Sequence, residues 1–185
     1  SPINTGILFW LISILIYIIY IMSMRIKNNY LVYNGKKYKC SIGRNGFIDK
    51  KKEGDGCTPI GVFQVTEILF RKDKLKHLIT NYHLQVISPS DGWCDDPSSS
   101  YYNKKIKFPF SDSAEKLYRD DDRYDIVCVT NHNQSPIISG RGSAIFIHVA
   151  SNDYSATAGC IALSLQDLTE ILSTLTKTSD LHFGI

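Results

Sequence analysis

Ser143-Ala-Ile-Phe-Ile-His-Val149, a polar loop, then Thr157-Ala-Gly-Cys-Ile-Ala-Leu163 is the stretch that decides the fold. The first run is apolar and rich in β-branched and aromatic residues, so it reads as a central strand. The second run is a turn leading into a helix. Ser164 to Thr174 puts Leu165, Leu168, Ile171, Leu172 and then Leu175 on one face, with Ser164 placed to cap. A buried strand, a glycine turn and an amphipathic helix give a β-rich α+β unit.

The flanking sequence agrees with that class. Tyr30-Leu-Val-Tyr33, Asn34-Gly35 and Lys36 to Ile42 read as a β-hairpin closed by an Asn-Gly turn. Gly61 to Phe70 alternates as one strand, and His83 to Ser88, Tyr124 to Thr130 and Leu181 to Ile185 read as further strands. Gly43 to Gly61 and Ser88 to Ser100 read as turns and loop. Ser111-Asp-Ser-Ala-Glu115 reads as the start of a short helix capped by Ser111 or Asp112, with Glu115 and Arg119 paired at i, i+4.

Ile7 to Met24 stands apart, because it holds no charge, proline or glycine. Eighteen helical residues at ~1.5 Å each reach about 27 Å, close to the apolar thickness of a bilayer. Trp10, Tyr17 and Tyr20 fall within it. The run is longer than a signal-peptide core and lacks a small-residue cleavage site, so it reads as a retained membrane anchor over residues 1–24, with residues 25–185 as the folded unit. Arg25, Lys27, Lys36, Lys37 and Lys39 all follow the run. By charge bias alone they would hold that unit in the cytoplasm.

The 185 residues carry 21 basic and 18 acidic side chains, a net +3 that is too mild to argue for nucleic acid. There is no phosphate-binding glycine loop and no paired C-x-x-C spacing for zinc. Cys40, Cys57, Cys94, Cys128 and Cys160 are scattered. The first four could form two disulfides or remain inert thiols. Asp95-Asp96 and Asp120 to Asp122 read as solvated loop charge, and no metal is expected. His77, His83, His132 and His182 read as surface or core residues.

Cys160 and His148 carry the chemistry. A cysteine directly after a glycine, before a helix, suits a nucleophile, because the glycine lets substrate approach and the turn amides can face an oxyanion. An imidazole nearby can take the thiol proton. Eleven residues separate His148 from Cys160, enough to bring the strand end back beside the turn.

Phe146-Ile-His148 followed by Thr157-Ala-Gly-Cys-Ile161 resembles the signature of the L,D-transpeptidase catalytic domain (YkuD-like) family. Glu53 to Gly61, Gly92-Trp-Cys-Asp-Asp-Pro97 with Tyr102-Asn103, and Gly140 to Phe146 resemble its branch with an extended middle region. The resemblance implies a β-sandwich-like domain with short helices. Cys160 would attack the diaminopimelate–D-Ala bond of a peptidoglycan stem peptide. His148 would act as base and then acid, with the Val149 carbonyl orienting its ring. The amides of Gly159 and Cys160 would receive the oxyanion, and an amine would take the acyl group. No cofactor is implied. Water as acceptor, in an L,D-carboxypeptidase or another cysteine amidase, is the alternative, and a non-catalytic wall-binding module a third reading. The substrate implies a domain on the periplasmic side of a bacterial inner membrane, against the charge bias.

Among the neighbours, Thr157 and Tyr154 are expected to contact substrate, Tyr154 as a wall of the site. Trp93, with Tyr101 and Tyr102, is expected to line a cleft. Many family members carry His before the glycine and Arg or Asn two residues after the cysteine, where this chain has Ala158 and Ala162. Arg141 is the expected substitute charge.

Overall fold

The computed structural model describes residues 5–49 and 51–185, without the side chains of residues 5, 6 and 17–21. The chain runs α1 (Thr5–Met22), β1 (Met24–Lys27), β2 (Tyr30–Tyr33), β3 (Lys36–Ser41), β4 (Phe47–Ile48), β5 (Thr58–Pro59), β6 (Gly61–Phe63), β7 (Val65–Phe70) and β8 (Leu84–Val86). It continues through β9 (Asp91–Cys94), β10 (Lys105–Lys107), β11 (Ala114–Lys116), β12 (Ile126–Thr130), β13 (Phe146–Val149), β14 (Ile161–Leu163), α2 (Leu165–Thr174) and β15 (Leu181–Phe183).

Among the described residues, ten strands form one sheet in the order β6-β15-β1-β2-β3-β14-β13-β12-β7-β8. Asn34 and Gly35 both take left-handed φ, 49° and 74°, which is what a two-residue turn needs to match the twist of β2 and β3. The expected single strand over Gly61–Phe70 is instead two. The chain breaks at Gln64, whose N–H and carbonyl both bond Asn131, through its Oδ1 and its N–H respectively. β6 then pairs with β15 at one edge, while β7 lies beside β12 and β8 near the other. One residue joins those two ends, so the sheet must curl until they meet.

The curl encloses the main core. Met24, Ile26, Leu31, Ile68, Ile147, Ile161, Leu163 and Phe183 are buried in it, and Leu168, Ile171 and Leu172 of α2 pack against them. Ser164 caps α2 by accepting from the Asp167 N–H at 3.0 Å. Each such side chain removed from water contributes about 1.5–3 kcal/mol before entropy is charged. The other face of β7, β12 and β13 presents Leu69, Val127, Val129 and Phe146 to a second cluster with Trp93, Leu117 and Tyr124. Burial on both faces is why β13 reads as an unbroken apolar run.

That second layer corrects two expectations. Ser88–Ser100 is not all loop: Asp91–Cys94 is strand β9, buried throughout. Nor does Ser111–Glu115 start a helix: Ala114–Lys116 is strand β11, and β9 lies between β10 and β11 in a three-stranded sheet. Pairing with a buried central strand outweighs the weak local preference of a capped turn. Arg119 consequently bonds Asp121, not Glu115.

The apolar N-terminal run does form a helix, α1, with Phe9, Trp10, Leu15 and Ile16 exposed. The side chains of Tyr17 and Tyr20 lie outside the described residues. The expected transmembrane helix is not found: among the described residues, no helix is long and apolar enough to cross a membrane. The last residues of the run leave the helix, and Met24 is buried in β1 opposite Leu181.

Candidate active site

β13 and β14 run parallel, with His148 opposite Ala162 and Ile147 opposite Ile161. Cys160 immediately precedes β14, which sets it beside Phe146, and the Phe146 N–H points at its Sγ at 3.4 Å. Side chains alternate along a strand, so Cys160 and Ala162 share a face with Phe146 and His148. Cys160 and His148 are thus diagonal neighbours across two adjacent strands. Both line one cavity of about 570 Å³.

The turn before Cys160 is held from two sides. Thr157 Oγ1 donates to the Cys160 carbonyl at 2.7 Å and accepts from the Gly159 N–H at 3.1 Å. Thr58 Oγ1 donates to the Gly159 carbonyl at 2.9 Å and accepts from the Gly43 N–H at 2.9 Å. Gly159 has φ 146°, and a Cβ there would lie 2.7 Å from the Cys57 carbonyl oxygen. Only glycine fits. In this resting arrangement the Gly159 N–H, expected to face an oxyanion, is given to Thr157.

The surroundings favour the neutral forms of both Cys160 and His148. Burial pushes the Cys160 thiol up to about 12, and the negative charge of Glu115 adds to that, against smaller opposing effects from the Phe146 N–H and Lys51. The Sγ–H donates to the Ala144 carbonyl at 3.1 Å. Burial likewise lowers His148 to about 4; the bond to Val149 opposes that, while the positive charges of Arg123 and Arg119 add to it. His148 Nδ1 lies 2.8 Å from the Val149 carbonyl oxygen. A carbonyl only accepts, so in the neutral ring Nδ1 carries the hydrogen and the lone pair is on Nε2.

The remaining expected site residues divide. Thr157 lines the cavity. Trp93 does not: it is buried, its Nε1 donates to Asn103 Oδ1 at 3.0 Å, and its ring stands edge-on to Phe146. It backs the strand that carries His148. Tyr154 lies outside the cavity lining. It takes φ 54°, lies beneath the Lys39 ammonium at 4.3 Å, and its carbonyl accepts from Ser41. Tyr101 stacks edge-on with Phe110, and Tyr102 is buried with its hydroxyl on Glu53. Arg141 is exposed and also outside the lining, with its carbonyl on His132 Nε2. Four other cations line the cavity: Arg44, Lys51, Arg119 and Arg123. All five cysteines are free, and the four besides Cys160 are buried.

Sequence reading missed three contributors. Glu115 lines the cavity from β11, and its Oε1 accepts from the Tyr124 hydroxyl at 2.6 Å. The Tyr124 ring stands edge-on to His148, with centroids 5.2 Å apart. Asn103 is 4 % exposed and bonds Trp93, Ala144, His132 and Asn133 at once. Its signal was present in the Tyr102-Asn103 motif, without a role attached.

The family model described as the L,D-transpeptidase catalytic domain, YkuD, matches residues 20–181. No curated protein matches the chain. The match spans all fifteen strands but the end of the last, together with the turn and cavity described above. A cysteine-dependent transpeptidase or acyltransferase is the activity implied at family level. With the family model covering most of its length, the chain belongs to the L,D-transpeptidase catalytic domain (YkuD) family.

Proposed function

We propose that this chain is a peptidoglycan L,D-transpeptidase that works through a Cys160 thioester. One observation carries the reading. Cys160 and His148 share one face of one cavity, with His148 Nδ1 tied to the Val149 carbonyl and Nε2 left as the proton acceptor. When the stem peptide enters, Cys160 Sγ attacks the carbonyl at the diaminopimelate–D-Ala bond while His148 Nε2 takes the thiol proton. Forming the C–S bond and transferring the proton together avoids a free, buried thiolate. Collapse of the tetrahedral intermediate breaks the C–N bond, and His148 returns the proton to the departing D-Ala amine. An amine acceptor then attacks the thioester. His148 takes its proton and passes it to the Cys160 sulfur as the C–S bond breaks. The Cys160 amide would receive the oxyanion, joined by the Gly159 amide once it leaves Thr157.

The substrate places the domain on the cell-wall side of a bacterial inner membrane. Intact-protein mass spectrometry with a disaccharide-tetrapeptide tests the chemistry. Wild type should gain a transient adduct and release D-Ala, and Cys160→Ala should do neither. Crosslinked products should then follow. Tripeptide as the sole product would mean that water is the acceptor, and no adduct on a folded, reduced protein would overturn the mechanism.

A further inference from the structure

The wall of the cavity formed by the small sheet carries two carboxyl groups that no cation pairs. Glu115 lies on β11, opposite Trp93 of β9. Asp95 follows β9, and its N–H donates to the Ser113 carbonyl at 3.2 Å, which continues the same pairing. Asp95 and Glu115 therefore stand two residues apart in register on neighbouring strands and line the same cavity. Asp95 Oδ1 is buried without a hydrogen-bond partner. Glu115 accepts from Tyr124, a neutral donor. Among the described residues, neither carboxyl forms an ion pair. The nearest arginines are committed elsewhere: Arg119 and Arg123 both bond Asp121.

Both residues are half-buried, and a second negative charge beside Glu115 makes its ionised form costlier. Burial and the charge of Asp95 both raise Glu115, against the hydroxyl of Tyr124 and the pull of Arg119 and Arg123. A positive ligand group would relieve that cost. Within this cavity the reaction itself brings one, because an acceptor amine arrives as an ammonium ion.

Resting on the transpeptidase reading above, we propose that Glu115, backed by Asp95, is the specificity-determining residue that receives the acceptor ammonium and directs the Cys160 thioester to an amine instead of water. The Glu115 carboxylate takes one proton from R–NH3+, and that proton later leaves to solvent. The freed amine nitrogen bonds to the thioester carbon as the C–S bond breaks. The second proton passes through His148 Nε2 to the Cys160 sulfur. The products are the new amide, the thiol and one proton. Tyr124 holds the Glu115 carboxyl and also packs against His148, so one side chain sets both groups relative to the sulfur.

The test uses the full chain in detergent, a disaccharide-tetrapeptide donor and an amine acceptor, with transferred and hydrolysed products counted separately. In Glu115→Gln the ratio of transfer to hydrolysis should fall at least tenfold, while the Cys160 adduct still forms. Lys116→Ala, an exposed neighbour on β11, serves as the control and should keep the wild-type ratio. An N-trimethylated form of the acceptor keeps the charge but has no transferable proton. It should compete with the acceptor against wild type, and this reading stands even if Glu115→Gln does not fold. An unchanged product ratio in folded Glu115→Gln, or no competition by the trimethylated compound, overturns the proposal while leaving the thioester mechanism intact. Absence of any adduct on wild type overturns both.

Discussion

The Cys160 thiol donates to the carbonyl oxygen of Ala144 at 3.1 Å, and the Ala144 N–H donates to Asn103 Oδ1 at 3.1 Å. The Cys160 thiol is thus aimed by a residue 57 positions earlier in the chain. Asn103 uses every hydrogen-bonding position it has: Oδ1 accepts from Trp93 Nε1 and the Ala144 N–H, and Nδ2 donates to the carbonyls of His132 and Asn133. It does so at φ 56°, a conformation that Asn tolerates better than most residues.

Asn103→Asp keeps the shape but turns two donors into an acceptor facing two carbonyls. Leaving buried polar groups unpaired costs about 1–3 kcal/mol each. A loss of about 2–4 kcal/mol of unfolding free energy is expected, read as a lower denaturant midpoint, together with slower adduct formation as Ala144 shifts. A variant with wild-type stability and rate would show that the Asn103 network does not aim the thiol.

The neutral thiol sets a second expectation. A thiol raised to about 12 is thiolate only to the order of 10⁻⁴ at pH 8, against roughly a tenth or more for an ordinary cysteine. Iodoacetamide should therefore alkylate resting Cys160 at least a hundredfold more slowly than a free thiol at pH 8, with the rate still rising at pH 10. His148→Ala should leave that slow rate unchanged, since no resting ion pair exists to lose. Fast alkylation that is flat from pH 5 to 8 would instead mean a thiolate–imidazolium pair.

His148 fixes the acid side of the pH profile. Its ring must be neutral to accept a proton, and it stays neutral down to about 4. The acid limb of kcat/KM should therefore fall well below the usual imidazole value near 6.5, so that activity at pH 5.5 remains close to that at pH 7. The side-chain charges of Arg123 and Arg119 push His148 down, whereas the backbone of Val149 and of Arg123 pulls it up. Arg123→Ala should consequently move the limb to higher pH. A limb at 6.5 in wild type would show that the ring is solvated in the working enzyme.

The sequence was most legible where one local signal decides one element. β13 shows as an apolar run, the β2–β3 turn as Asn34-Gly35, and α2 as a stripe behind a serine cap. His148, Cys160 and the Val149 contact follow from that legible part and from the family motif. What stayed hidden depends on partners far along the chain. Glu115 sits on a three-residue strand, too short for alternation to register, and it becomes a strand only because β9 pairs with it. Trp93 looked like a cleft residue because aromatics in a Gly-Pro-rich segment suggest an exposed loop, yet its strand is central in a small buried sheet. Gln64 interrupts an alternating pattern without glycine or proline, and only Asn131 explains the break. Arg141 was a guess from charge alone, and Arg44, Arg119 and Arg123 reach the cavity from segments no local pattern connects to it.

Gly159 provides the sharpest test of how the turn is built. Its φ of 146° disfavours any side chain, and an added Cβ would meet the Cys57 carbonyl at 2.7 Å. That carbonyl cannot retreat cheaply, because the adjoining Thr58 is bonded to both Gly43 and Gly159. Gly159→Ala should thus incur backbone strain of about 1–3 kcal/mol together with a backbone clash. Gly140 separates the two effects, since it has φ 74° with open space around it. Gly140→Ala should show strain alone, about 1–2 kcal/mol by the cost of the left-handed conformation. Thermal unfolding of both variants beside wild type should therefore give the larger drop for Gly159→Ala, which should also lose the Cys160 adduct while folded Gly140→Ala keeps it. Equal drops with both adducts retained would mean that the turn has room that the Cys57 contact denies.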